Sequence, residues 1–304
     1  MSAPAVPGKS RTVVRPSPFV TGDGTALHVE LAGPREAATT LVLVHGWTQD
    51  RRTWNRVVGQ LPPERRVLRY DLRGHGASAP ARPGTATIDR LADDLAELLT
   101  ARVPDGRLVL AGHSMGGMTI MALADRHPRL VGDRVDGVAF VATSCGGLDR
   151  ITLGLPGVAG SGAARAERRL ADLLVSYRRD ALPVRPAAAR AGARWLVFGR
   201  RPRRADVASV ADQLRRAHPA SIGGFQQDIS LHDRRTALAA LRTTRTVVLA
   251  GDRDRLCPLP HAEAIAAELP GARLVRCPGA GHMLPQERPH EVAAQLTREC
   301  AREF

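Results

Sequence analysis

The chain has 304 residues, 43% of them apolar, and a formal net charge of +14 carried almost wholly by arginine, Lys9 being its one lysine. That length and apolar share supply a packed core and exclude global disorder, and no run reaches the roughly 18–20 uninterrupted apolar residues of a membrane helix. Such a charge invites nucleic acid, an anionic membrane surface or an acidic substrate. Aromatic residues make up only 3%, however, and no nucleic-acid module is visible, so nucleic acid is not expected as a partner.

Residues 1–20 carry Lys9, Arg11 and Arg15 with no apolar run behind them, so a disordered or extended leader is expected and a cytoplasmic location with it. Gly8-Lys9-Ser10 resembles the end of a phosphate loop but lacks the earlier glycine and the preceding strand. Thr25–Leu31 alternates loosely and suits an edge strand. Thr39–Val44 is a continuous apolar and β-branched run, as expected of a strand buried on both faces, and it ends in His45-Gly46-Trp47. A helix is predicted over 53–60, stopped by Pro62-Pro63, and a strand over Arg66–Leu72 closed by Arg73-Gly74-His75-Gly76.

Thr87–Arg102 places Ile88, Leu91, Leu95 and Leu98 on one helical face. Arg107–Ala111 predicts a strand and Met115–Arg126 a helix that His127-Pro128 ends. Val135–Ala142 predicts the next strand, and this alternation implies a parallel sheet covered on both faces. The rhythm then breaks over 145–235, where Gly/Pro-interrupted basic helices are expected at 165–177, 188–198 and 207–217, an inserted cap. Within it Arg200-Arg201-Pro202-Arg203-Arg204 reads first as a solvated face, with an anionic partner as the alternative. Trp195, Leu196, Phe198 and 222–231 are its apolar candidates. Strand and helix return at Thr246–Ala250, Leu259–Leu269, Arg273–Cys277 and from Pro289, so the core is expected to comprise 21–144 and 236–304.

Between the strand at 107–111 and the helix from 115 stands Gly112-His113-Ser114-Met115-Gly116. A serine at the tip of a tight strand-to-helix turn needs neighbours without bulk two residues to either side, and the helix N-terminus aims N–H groups at the same spot. Serine needs a general base, and the base needs a group to fix its tautomer. Gly251-Asp252-Arg253-Asp254 follows one late strand and Gly279-Ala280-Gly281-His282 the next, giving the order Ser…Asp…His. Other histidines read as structural or surface groups: His45 and His75 pin their own loops, His113 points away from substrate, His127, His218, His261 and His290 lie at the surface, and His232 is ambiguous. Cys145, Cys257, Cys277 and Cys300 show neither zinc spacing nor a disulfide pattern.

In HGW at 45–47, DLRGHGAS at 71–78, GHSMGG at 112–117, GDRD at 251–254 and GAGH at 279–282 the chain resembles the α/β-hydrolase superfamily, in its serine-nucleophile esterase, lipase and lactonase-like branch with a helical cap. The resemblance spans roughly 20–304 and implies the α/β-hydrolase fold. It favours Asp254 over Asp252 as the triad acid, with Asp149 as an outside candidate. It makes the Trp47 N–H the second oxyanion donor beside that of Met115, and it leaves the Trp47 indole free to wall the pocket. The activity it implies is cleavage of an ester-like bond (carboxylic ester, lactone or thioester) through an acyl-enzyme on Ser114, with His282 as base and no cofactor or metal. The expected substrate is a small molecule with an apolar acyl part. A carbon–carbon hydrolase, a perhydrolase, a non-hydrolytic lyase or cyclase and a small-molecule binding protein on the same fold stay open as alternatives, as does membrane contact through the basic cap.

Overall fold

The structure, a computed structural model, describes residues 17–148, 155, 157–177 and 179–300. Asp149 and most of the expected leader lie outside them. Strands β1 (Ser17–Val20), β2 (Ala26–Ala32), β3 (Thr39–Val44), β4 (Arg66–Tyr70), β5 (Arg107–His113), β6 (Val135–Val141), β7 (Arg245–Gly251) and β8 (Arg273–Cys277) form one sheet in the order β1-β2-β4-β3-β5-β6-β7-β8. From β4 through β8 every pairing is parallel, whereas β1 and β2 are antiparallel to their neighbours. The period of two along β3 divides its residues between the two faces. Val42 and Val44 join the core beneath α2 (Ile88–Arg102) and α3 (Met115–Arg126), while Leu41 and Leu43 join the one beneath α1 (Asn55–Val58) and the helix Pro289–Cys300.

Thr87 caps α2 by accepting the Arg90 N–H on its side chain, and the apolar stripe of Leu91, Leu95 and Leu98 packs on the sheet as its spacing implies. Three elements depart from expectation. Strand β1 begins inside the expected leader, so β1 and not β2 is the edge; four residues with Pro18 among them carry no periodic signal, and an edge strand tolerates proline. Pro128, which ends α3, also opens α4 (Pro128–Arg134), because proline suits the first helical turn. The segment near 53–60 starts as a 3-10 turn over Arg51–Trp54 before α1.

Between β6 and β7 run α5 (Gly157–Val175), α6 (Pro186–Leu196), α7 (Arg204–Arg216) and α8 (Pro219–Ser230), with α5 packed on α8 and α6 on α7. They are tied to loops that follow the strands: the His218 N–H donates to the Gly74 carbonyl at 2.9 Å, and the Asp50 N–H to Gln213 Oε1 at 2.9 Å. The apolar candidates of this segment mostly pack. Phe198 is buried with Val207, Val210 and Met283, and Phe225 joins the main core, whereas Trp195 stays half-exposed beneath the Arg255 guanidinium. No described helix is long and apolar enough to cross a membrane.

The loop after β4 is fastened from inside. Arg73, 0% exposed, donates from Nε and Nη2 to the two oxygens of Asp94, each at 2.6 Å, and from Nη1 to Asp23 at 2.8 Å. Arg73→Met leaves buried Asp94 with Arg90 alone, which donates to Oδ1 at 2.8 Å, and leaves Oδ2 unpartnered, so it should cost about 2–3 kcal/mol. The urea midpoint measures this, and Arg73→Met/Asp94→Leu should recover most of the loss.

Candidate active site

Strand β5 runs two residues past its expected end, to His113, and the chain turns at Ser114 with φ 53° and ψ −121° before entering α3. A non-glycine residue held at positive φ stores about 1–3 kcal/mol of strain and persists only where its surroundings enforce it. Here the Ser114 N–H donates to the Val141 carbonyl at 3.0 Å, and the Thr143 hydroxyl donates to the Ser114 carbonyl at 2.7 Å. The glycines make the turn fit: a Cβ on Gly112 would overlap the Gly116 carbonyl and the Gly117 nitrogen, and one on Gly116 would overlap the Val44 carbonyl.

The loop after β3 lies against this turn. A Cβ on Gly46 would stand 3.0 Å from Ser114 Cβ and 2.9 Å from His113 Nδ1. Its conformation is set by two buried imidazoles. His45 donates from Nδ1 to the Gly46 carbonyl at 2.8 Å and accepts the Leu72 N–H on Nε2 at 2.9 Å. His75 accepts the Thr48 N–H on Nε2 at 3.1 Å, which holds Thr48 at φ 62°. The Trp47 indole is anchored: its Nε1–H donates to the Ile222 carbonyl of α8 at 2.9 Å, tying this loop to the inserted helices.

On the far side of β5, the loops after β7 and β8 bring an acid and an imidazole together. His282 Nδ1–H donates to Asp254 Oδ2 at 2.8 Å, and Asp254 Oδ1 accepts the Leu256 and Cys257 N–H groups at 2.8 and 2.9 Å. Asp254 is 6% and His282 4% exposed. A carboxylate on Nδ1 places the ring proton there and leaves Nε2 a free lone pair. Asp252 is exposed and serves the loop, accepting the Gly279 N–H at 2.7 Å.

Two supports of this base were missed in the sequence. His113, expected only to point away from substrate, donates from Nε2 to the His282 carbonyl at 2.9 Å, so the residue before Ser114 holds the base's own backbone. The Val197 carbonyl of the inserted segment accepts the N–H groups of His282 and Met283 at 2.9 and 3.1 Å. Glu287 clamps the same junction, its two oxygens taking the Gly199 and Gly281 N–H groups at 2.8 and 2.9 Å. Gly199 and Gly281 signal the close approach: a Cβ on the first would overlap the Gly279 carbonyl oxygen and one on the second would stand 2.6 Å from the Gly199 nitrogen. His127, His218 and His261, read as surface groups, are half-buried, and His261 Nδ1 lies 2.8 Å from the Ser144 hydroxyl.

Burial lowers the pKa of His45 and His232 to about 4 and of His75 and His113 to about 3, from an ordinary 6.5. These rings are neutral in the folded protein at neutral pH. The unfolded chain binds protons at them below pH 6.5 while the fold does not, so stability is full above 6.5 and falls as pH drops, by up to about 1.4 kcal/mol per unit for each ring. The urea midpoint should therefore fall steadily from pH 7 to pH 5; a flat midpoint over that range would contradict buried neutral imidazoles.

The alpha/beta hydrolase family profile matches residues 41–295. The chain belongs to the α/β hydrolase family. Among its relatives in that family, pimeloyl-[acyl-carrier protein] methyl ester esterase of Aromatoleum aromaticum is 30% identical over 84% of this chain and 96% of its own length. The dihydrolipoyllysine-residue acetyltransferase component of the acetoin cleaving system of Pseudomonas putida is 31% identical over 88% of this chain, which spans 64% of that relative. A thermophilic esterase from Thermogutta terrifontis superposes with a TM-score of 0.74 at 26% identity, covering 94% of this chain and 97% of its own. The protein is thus an enzyme, a hydrolase of the esterase- and lipase-like kind that acts on ester bonds.

Proposed function

We propose that the protein is a serine esterase working through an acyl-enzyme on Ser114. The observation that carries this reading is the buried Asp254–His282 hydrogen bond, with the His282 carbonyl bound by His113, the residue before a serine at positive φ. Ser114 Oγ attacks the ester carbonyl while His282 Nε2 takes its proton, and Asp254 stabilises the imidazolium that forms. The oxyanion is received by the N–H groups of Met115, at the start of α3, and Trp47. Among the described residues neither N–H donates to another partner in a turn or loop, and Gly46 sets the second beside Ser114. The alcohol leaves with the proton held by His282; the same ring then activates water, and the acid is released.

The inserted helices act as a cap in this reading, with α8 reaching the oxyanion loop through the Trp47 indole. An ester with an apolar acyl part is the substrate class this reading expects. Four buried thiols with no disulfide suit a reducing compartment, which supports the cytoplasmic expectation.

Rapid mixing with p-nitrophenyl acetate, butyrate and hexanoate tests the mechanism. An initial burst of p-nitrophenol equal to the enzyme present, followed by slower turnover, is the expected course. Turnover of none of these esters above the uncatalysed rate would count against the reading.

A further inference from the structure

Beside the acid and base loops, on the side of the 199–203 segment, opens a cleft of about 930 Å³ whose walls include Arg200, Arg201, Arg203 and Arg253. All four arginines are exposed, and among the described residues none makes an ion pair or hydrogen bond through its guanidinium. The acids of the same cleft are already engaged. Asp206 pairs with Arg56 at 2.8 Å, Glu287 holds the Gly199 and Gly281 N–H groups, and Asp252 holds that of Gly279. The start of α7 faces the same place. Its N-cap residue is Arg203, with no capping side chain, so the positive end of a 13-residue helix adds to the guanidinium charge.

We propose that this cleft is a binding site for a phosphoryl group carrying two or more negative charges on a small molecule. Guanidinium forks match the tetrahedral oxygens of phosphate and can each donate twice. A concave site of this volume suits a metabolite or nucleotide-sized ligand rather than a flat protein face. It also explains why arginines outnumber carboxylates in the lining of one cleft.

The site is coupled to the catalytic loops by the chain itself. Arg253 precedes Asp254, and the Arg200 N–H donates to the Gly279 carbonyl at 2.9 Å, three residues before His282. The phosphoryl group is either part of the substrate's leaving group or a free effector. Binding can be measured without hydrolysis, so the site stands or falls apart from the esterase reading.

Titration calorimetry with inorganic pyrophosphate at low salt tests it. One site is expected on the wild type, with affinity lowered about tenfold or more in Arg201→Ala/Arg203→Ala and changed by less than about twofold in Arg129→Ala/Arg169→Ala, which removes equal charge elsewhere. Equal weakening in both pairs, or none in the first, overturns the proposal. Circular dichroism confirms that each variant is folded. Pyrophosphate that raises KM for acetyl-coenzyme A but not for p-nitrophenyl acetate assigns the site to the leaving group. A change in kcat for p-nitrophenyl acetate assigns it to a free effector.

Discussion

Ser114→Ala should lower kcat for p-nitrophenyl esters by about 10⁴–10⁶-fold while leaving the urea midpoint nearly unchanged. The hydroxyl is the only group lost, and none of the hydrogen bonds that shape the turn uses it. The Val141 carbonyl takes the Ser114 N–H, and the Thr143 hydroxyl donates to the Ser114 carbonyl, as before. Alanine inherits the strain, because its Cβ sits at the same positive φ. Ser114→Gly removes that penalty, so it should be equally inactive yet more stable than Ser114→Ala by about 1 kcal/mol. A serine variant that stays active, or a glycine variant that gains no stability, would place the nucleophile or the strain elsewhere.

Asp254→Asn should reduce kcat by about 10³–10⁴-fold near pH 7, with KM little changed. The asparagine carbonyl can keep accepting from the Leu256 and Cys257 N–H groups, which fixes the side chain's orientation. Its amide NH₂ then faces His282 Nδ1, which must accept. The ring proton moves to Nε2, and the lone pair that served Ser114 is lost. Asp252→Asn is the control. It retains an oxygen for the Gly279 N–H and touches no part of the imidazole, so kcat should change by less than about threefold. A large effect at 252 and a small one at 254 would reverse the assignment of the acid.

The parallel half of the fold was legible because strands such as Thr39–Val44 are buried on both faces and read as unbroken apolar runs. The proposed triad stands out for a related reason: Ser114 and Asp254 follow such buried strands and His282 follows the partly exposed β8, each on a glycine-marked loop. What escaped was local structure without periodicity, such as β1 and α4, and contact between distant parts of the chain. Nothing in Val197 or Gly199 announces that their backbone holds a loop more than eighty residues later, since main-chain acceptors carry no side-chain signature. The role of His113 was hidden for the same reason, its partner being the His282 carbonyl. The Arg200–Arg204 run was visible as charge, but only the fold shows that Arg253 shares its cleft and that the neighbouring acids are already engaged.

Labelling with a fluorophosphonate, followed by mass mapping of the adduct, tests the central claim most directly. The account predicts one adduct, on Ser114, absent in Ser114→Ala and greatly slowed in His282→Ala. An adduct on another residue, or none on folded wild-type protein, would contradict an activated serine at this turn.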